Sequence, residues 1–268
     1  MLESISATDP KSCRGCGEEL PPASRFCPRC GQAEDGYGST LVLNTASVEA
    51  PAPDSSHPVF DRRWNDIKKI ALLFGLFLVC SVGLAIMASF DKSPKPEAYF
   101  SIGEAIIIIA FVAFDFEAIA PLLGRPRLAP GSTPQIVIVI IVWVCVLKLY
   151  FFALPHLGIH TEALSKRFVD AHWPLASIFI LISIAPAIFE ELAFRGYIQS
   201  KVERIVGPNE AIAIQAGMFA VAHFLPLIFI SHFIMGLGLG WIRTKTKSLY
   251  PGMLMHATWN AIVLLQEF

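Results

Sequence analysis

Residues 175–198 read LASIFILISIAPAIFEELAFRGYI. At 1.5 Å of rise per residue, a helix of this stretch is about 36 Å long, enough to cross the ~30 Å hydrocarbon core of a bilayer. Its only charged side chains are Glu190, Glu191 and Arg195, set together past its midpoint. Charge inside a span is expensive and persists where it is paired or where it works. The stretch therefore predicts a membrane helix carrying a polar site, and it sets the fold class as an all-α polytopic membrane protein.

Working outward, similar apolar runs cover roughly 67–90, 100–123, 134–154, 174–200, 209–224, 227–242 and 248–267, which predicts about seven spans. The fifth and sixth are short and meet at Leu225-Pro226, so a tight hairpin is expected there. Of the 268 residues, 54% are hydrophobic and 16% charged, against about 25% charged in soluble domains. This excludes a disordered chain. A net charge of −1 excludes a strongly basic nucleic-acid binder, so nucleic acid is not an expected partner. Cationic flanks orient the spans. Arg62, Arg63, Lys68, Lys69, Arg125, Arg127, Lys201, Arg204, Arg243, Lys245 and Lys247 fall on one side, and Lys92, Lys95, Lys166 and Arg167 on the other. The N-terminus is therefore expected in the cytosol.

The apolar character stops towards the N-terminus. Cys13-Arg-Gly-Cys16 and Cys27-Pro-Arg-Cys30 form two C-x-x-C knuckles, which together offer four thiolates to one tetrahedral ion. The run Phe26-Cys27-Pro28-x-Cys30-Gly31 resembles the small zinc ribbons, implying a structural zinc on Cys13, Cys16, Cys27 and Cys30. A pair of disulfides is the alternative, disfavoured by the cytosolic placement. The expected organisation is a zinc ribbon at 1–32, a flexible linker at 33–62, and a membrane domain at 63–268. Ribbons bind protein, bind nucleic acid or merely cap a terminus; the partner expected here is a protein that the sequence does not identify.

Three polar groups interrupt the later runs: Glu190-Glu191-x-x-x-Arg195, Phe219-x-x-x-His223 and His256-x-x-x-Asn260. Counting helical rise from the charged inner ends puts Glu190 at about 16 Å, His223 at about 21 Å, His256 at about 12 Å and Asn260 at about 18 Å. Four polar groups from three runs thus share one layer, which points to a common cavity. Glu191 and Arg195 are spaced i,i+4 and are expected to pair. Glu190, about 100° away, is expected to face the cavity as general base. His223 would help position water, and His256 with Asn260 would supply donors to an oxyanion. His232, also at mid-depth, reads as a hydrogen-bonded helix contact rather than a member of the site. Asp115 and Glu117 read as groups meeting water at the inner surface. Gly236, Gly238 and Gly240 read as close-packing positions.

Taken in this order, the three motifs resemble the CPBP (Abi) family, which includes the type II CAAX prenyl endopeptidases. The resemblance covers roughly 170–268. It implies an intramembrane endopeptidase acting on a peptide or lipid-modified protein in the membrane, with Glu190 and His223 activating water and His256 and Asn260 forming an oxyanion hole. A catalytic metal on Glu190, His223 and His256 is a competing reading, without an H-E-x-x-H pair to support it. A non-catalytic scaffold of the same fold is the alternative function. A proton or ion transporter is a third, with no inverted repeat to support it.

Overall fold

The structure, a computed structural model, describes residues 12–13, 17–20, 27, 29, 58–127, 132–158, 163, 165–223 and 226–268. The chain divides into two compact units, Met1–Asp54 and Ser55–Phe268. In the first, the Cys13 carbonyl accepts from the Gly17 N–H at 2.9 Å, and the Cys13 N–H donates to the Glu18 carbonyl at 2.8 Å. Gly17 sits at φ 73°, where glycine is at ease. Ser12 and Glu19 pair across this turn. Cys13 and Cys27 are both buried, in one small cluster with Leu20. The other two expected ligands, Cys16 and Cys30, lie outside the described residues, as does the expected linker up to residue 57.

The second unit is helical. The main helices among the described residues are α1 (Pro58–Phe90), α2 (Lys95–Phe114), α3 (Ser132–His156), α4 (Leu175–Val206), α5 (Pro208–Ala222), α6 (Pro226–Thr246) and α7 (Tyr250–Leu265). Short helical pieces at Phe116–Ile119, Ala120–Leu123 and Lys166–Asp170 lie between them. Each expected apolar run has its helix, but among the described residues only α1 to α4 are long and apolar enough to cross a bilayer. α5 and α7 have 15 and 16 residues, short of the roughly 20 that a span needs. The expected second span also ends early. α2 stops at Phe114 because Asp115, tied by salt bridges, turns the chain. α4 extends to Val206 and ends at Gly207, whose φ of 110° suits glycine. Pro208 then opens α5, where a missing N–H costs nothing.

Small residues set the spacing of the inner helices. A methyl group on Gly236 of α6 would lie 2.7 Å from the Ala216 Cα of α5, and one on Gly238 would lie 3.2 Å from the Trp143 ring of α3. Buried amides bind the same helices. Gln215 donates to the Gly236 carbonyl at 2.8 Å, and Gln199 donates to Thr244 at 2.9 Å and to the Gly240 carbonyl at 3.2 Å. Around this centre Leu73, Phe194, Ile198, Phe219, Leu239 and Leu249 are fully buried. Val79, Ile106, Leu149 and Phe152 are exposed on α1 to α3, as an apolar solvent allows.

At one end of the bundle, ion pairs join α1, α2, α4 and α6. Lys201 reaches Asp66 at 3.4 Å and Asp115 at 3.0 Å, and Lys69 also holds Asp115, at 2.9 Å. Arg204 meets Asp66 at 2.9 Å, and Arg243 meets Glu203 at 2.6 Å. Asp115 is thus a structural junction, not simply a group meeting water. Burial works to raise its carboxyl, but hydrogen bonds from Lys69, Lys201 and Tyr197 outweigh that and hold it down at about 2.

Two outcomes follow from this packing. Gly236→Ala should lower stability by about 1–3 kcal/mol, since its methyl meets backbone, while Gly217→Ala, with open space around it, should leave it within about 0.5 kcal/mol; thermal unfolding in detergent reads both. Because the folded Asp115 carboxyl lies below its unfolded value of about 3.9, its pairing stabilises fully above about pH 4 and is lost as pH falls through about 2. Asp115→Asn should therefore be less stable than wild type at neutral pH and flatter across that acid window, and equal curves for the two proteins would refute the assignment.

Candidate active site

The site is built on an irregular α4. Pro186 has no N–H to give the carbonyl four residues earlier. The helix widens into a π turn at Ile180–Ile184 just before it. A second π turn covers Glu191–Ile198. Such widened turns inside α-helices concentrate at functional sites. Here the second one begins at the charged motif. The Ser183 hydroxyl donates to the Ala257 carbonyl at 2.8 Å, which fixes α7 beside it.

Glu191 and Arg195 are fully buried, with Nη1 and Oε1 3.0 Å apart. Their contact is a close ion pair, not an aligned hydrogen bond. The guanidinium lies over the Phe219 ring at 4.3 Å. The same Glu191 oxygen accepts from His256 Nδ1 at 3.1 Å. Gly252 leaves room for its other oxygen, since a methyl there would stand 2.8 Å from Oε2.

Glu190 occupies a different position. Its Oε2 lies 3.7 Å from His256 Nε2 and 4.0 Å from His223 Nε2, both too long for a direct hydrogen bond. That oxygen is buried and has no hydrogen-bond partner. His223 donates from Nδ1 to the Phe219 carbonyl at 2.8 Å, so a neutral ring turns the Nε2 lone pair inward. His232 anchors its Nδ1 likewise on the Ile228 carbonyl, at 2.9 Å.

The expected pairing of Glu191 with Arg195, and the separate exposure of Glu190 to other groups, both appear in this geometry. His256 touches both carboxylates, one with each ring nitrogen. With Nδ1 donating to Glu191, its Nε2 is a donor only when the ring carries a second proton, which qualifies the oxyanion role expected of it. Asn260 follows one turn along α7 and is half-buried, next to Trp259, whose ring packs on Trp143 at 5.4 Å. His232 is the hydrogen-bonded helix contact expected. It also packs against His223 with ring centroids 4.0 Å apart and the rings tilted by 41°, and its depth along the helix was the one sign of that in the sequence. Gly252 gave no sign, because its role depends on which side chain faces it.

No group of three His, Cys, Asp or Glu side chains among the described residues could hold a metal ion. The competing reading, a metal on Glu190, His223 and His256, thus has no such group to support it among the described residues.

Residues 172–262 match the family model described as type II CAAX prenyl endopeptidase Rce1-like. No curated protein and no solved structure matches the chain. The matched segment contains Glu190, Glu191, Arg195, His223, His256 and Asn260, and of these the structure brings Glu190, Glu191, Arg195, His223 and His256 together. By this match, residues 172–262 are similar to the Rce1-like type II CAAX prenyl endopeptidases.

Proposed function

We propose that this chain is an intramembrane endopeptidase in which Glu190 activates water. The observation that carries the reading is the unpartnered Glu190 Oε2, flanked by imidazole nitrogens at 3.7 and 4.0 Å. Separations just beyond hydrogen-bond range between polar groups suit a bridging water. One water proton would go to Glu190 and the other hydrogen bond to His223 Nε2. The water oxygen would attack the peptide carbonyl as the O–H bond breaks. Asn260, with His256 when doubly protonated, would donate to the oxygen that becomes negative. Glu190 would then pass its proton to the departing amine as the C–N bond breaks, which returns the carboxylate. Arg195 does not enter this chemistry; it neutralises Glu191, and Glu191 in turn aims His256.

The family points to CAAX-type substrates, lipid-modified at a C-terminal cysteine. A site among apolar helices suits a chain segment delivered from the bilayer. The test is proteolysis by the full chain in liposomes, using peptides with and without a prenylated C-terminal cysteine. Loss of the base should cut turnover by about 10²–10⁴-fold in Glu190→Gln, with thermal stability retained. Cleavage at the wild-type rate by that variant would end the proposal.

For the N-terminal unit the reading is a structural zinc ribbon. The Gly17 turn and the shared burial of Cys13 and Cys27 support it. Purified protein should carry one zinc ion per chain by elemental analysis, and Cys13→Ser with Cys27→Ser should carry none. Unchanged zinc in that double variant would place the metal elsewhere.

A further inference from the structure

The end of the bundle that carries the ion pairs also carries cations that those pairs leave out. Two connecting segments meet there. The Arg127 N–H donates to the Thr246 carbonyl at 2.8 Å, and the Leu249 N–H to the Leu122 carbonyl at 2.9 Å. The Ser248 hydroxyl donates to the Gly124 carbonyl at 2.8 Å. These bonds lay the segment 122–127, between α2 and α3, along the turn 246–249, between α6 and α7. Thr246 and Ser248 are buried in the contact. Arg125 and Arg127 on one segment, and Lys245 and Lys247 on the other, are exposed.

Four cations are thus held on one backbone knot. Among the described residues none of the four meets a carboxylate. Asp66, Asp115 and Glu203 at this end are already held by Lys69, Lys201, Arg204 and Arg243. Elsewhere Lys166 and Arg167 are paired as well, with Asp170 and Glu97. Lys247 also sits at φ 51°, a conformation in which a lysine is uncommon. It follows the end of α6, where glycine is the usual residue, so a cation stands there against the backbone's preference.

The knot lies at a membrane surface. Arg127 stands six residues before the apolar span Thr133–His156. Trp241, with the Lys245 ammonium 5.6 Å from its ring, and the exposed Tyr250 flank the knot. Trp and Tyr favour the headgroup level, and cations clustered at that level attract anionic lipids. We propose that Arg125, Arg127, Lys245 and Lys247 form a binding site for anionic phospholipid headgroups. The lipid supplies the negative charge that the neighbouring cations receive from Asp66, Asp115 and Glu203. α7, the helix of His256, begins at this knot, so bound lipid also secures α7 to the rest of the bundle.

Lipid binding by the full chain in neutral detergent tests this without any substrate, so its failure would leave the reading of Glu190 untouched. The chain is titrated with phosphatidylglycerol, or with zwitterionic phosphatidylcholine, and read by native mass spectrometry and thermal unfolding. Wild type should bind phosphatidylglycerol at least about 10-fold more tightly than phosphatidylcholine, and added salt should erode the difference. Only phosphatidylglycerol should raise the unfolding temperature. The fourfold variant Arg125→Gln, Arg127→Gln, Lys245→Gln and Lys247→Gln should lose this preference. In phosphatidylcholine it should unfold with the wild type, since all four side chains are exposed. Either half of it, Arg125→Gln with Arg127→Gln or Lys245→Gln with Lys247→Gln, should weaken phosphatidylglycerol binding by about 3- to 10-fold, because both segments form the site. Equal binding of the two lipids by wild type overturns the proposal, as does a preference that survives in the fourfold variant. Loss of the preference in Arg62→Gln with Arg63→Gln and Lys68→Gln, but not in the fourfold variant, would move the lipid to α1. An acidic peptide that binds the knot while phosphatidylglycerol does not would overturn it in favour of a protein partner.

Discussion

A guanidinium with no access to solvent must find its counter-charge inside the protein, and that requirement at Arg195 organises the rest of the site. Its partner, Glu191, lies one turn away and is equally buried. The pair does not close on itself. Glu191 also receives His256 from α7, and Arg195 also covers Phe219 from α5. Removing one member of a buried ion pair typically costs about 3–5 kcal/mol, because the other is left charged and unpaired. Three helices are therefore tied to one charge pair, and the three sequence motifs are parts of one device. Phe219 shows the economy of it: its ring carries Arg195 while its carbonyl fixes His223.

That device explains why two adjacent glutamates diverge. One Glu191 oxygen meets both Arg195 and His256, and Gly252 is small so that the carboxylate fits. Glu190 is left with an oxygen that nothing in the protein satisfies. The contrast continues at the end of the bundle, where Asp66 and Asp115 are each held by two cations. Glu190 Oε2 is the unsatisfied oxygen that faces the histidines without bonding them, and it is the one a ligand between them would meet.

Much of this was legible in the chain itself. The apolar runs became helices, and rise per residue was enough to bring Glu190, His223 and His256 to one layer, since depth along a helix accumulates from sequence alone. The i,i+4 spacing likewise announced the pair of Glu191 and Arg195. Span number was less legible, because an apolar run is compatible with a crossing helix and with a short helix buried among others, as in α5 and α7. Rotation was less legible still. A 100° step between Glu190 and Glu191 sends them to separate places on a regular helix, yet His256 meets both, since one imidazole has two nitrogens and α4 opens into a π turn at that point.

Contacts between runs were the least visible, and Asp115 illustrates why. At the end of an apolar stretch it reads as a group meeting water, because nothing near it in the chain supplies its partners. They come from other helices, Lys69 on α1 and Lys201 on α4. One turn earlier the rings of Phe111 and Tyr197 meet across α2 and α4. The ion pairs at the end of the bundle thus do more than hold helices together. By fixing how α2 lies on α4, the helix that carries Glu190, Glu191 and Arg195, they tie the packing around the site to electrostatics at the edge.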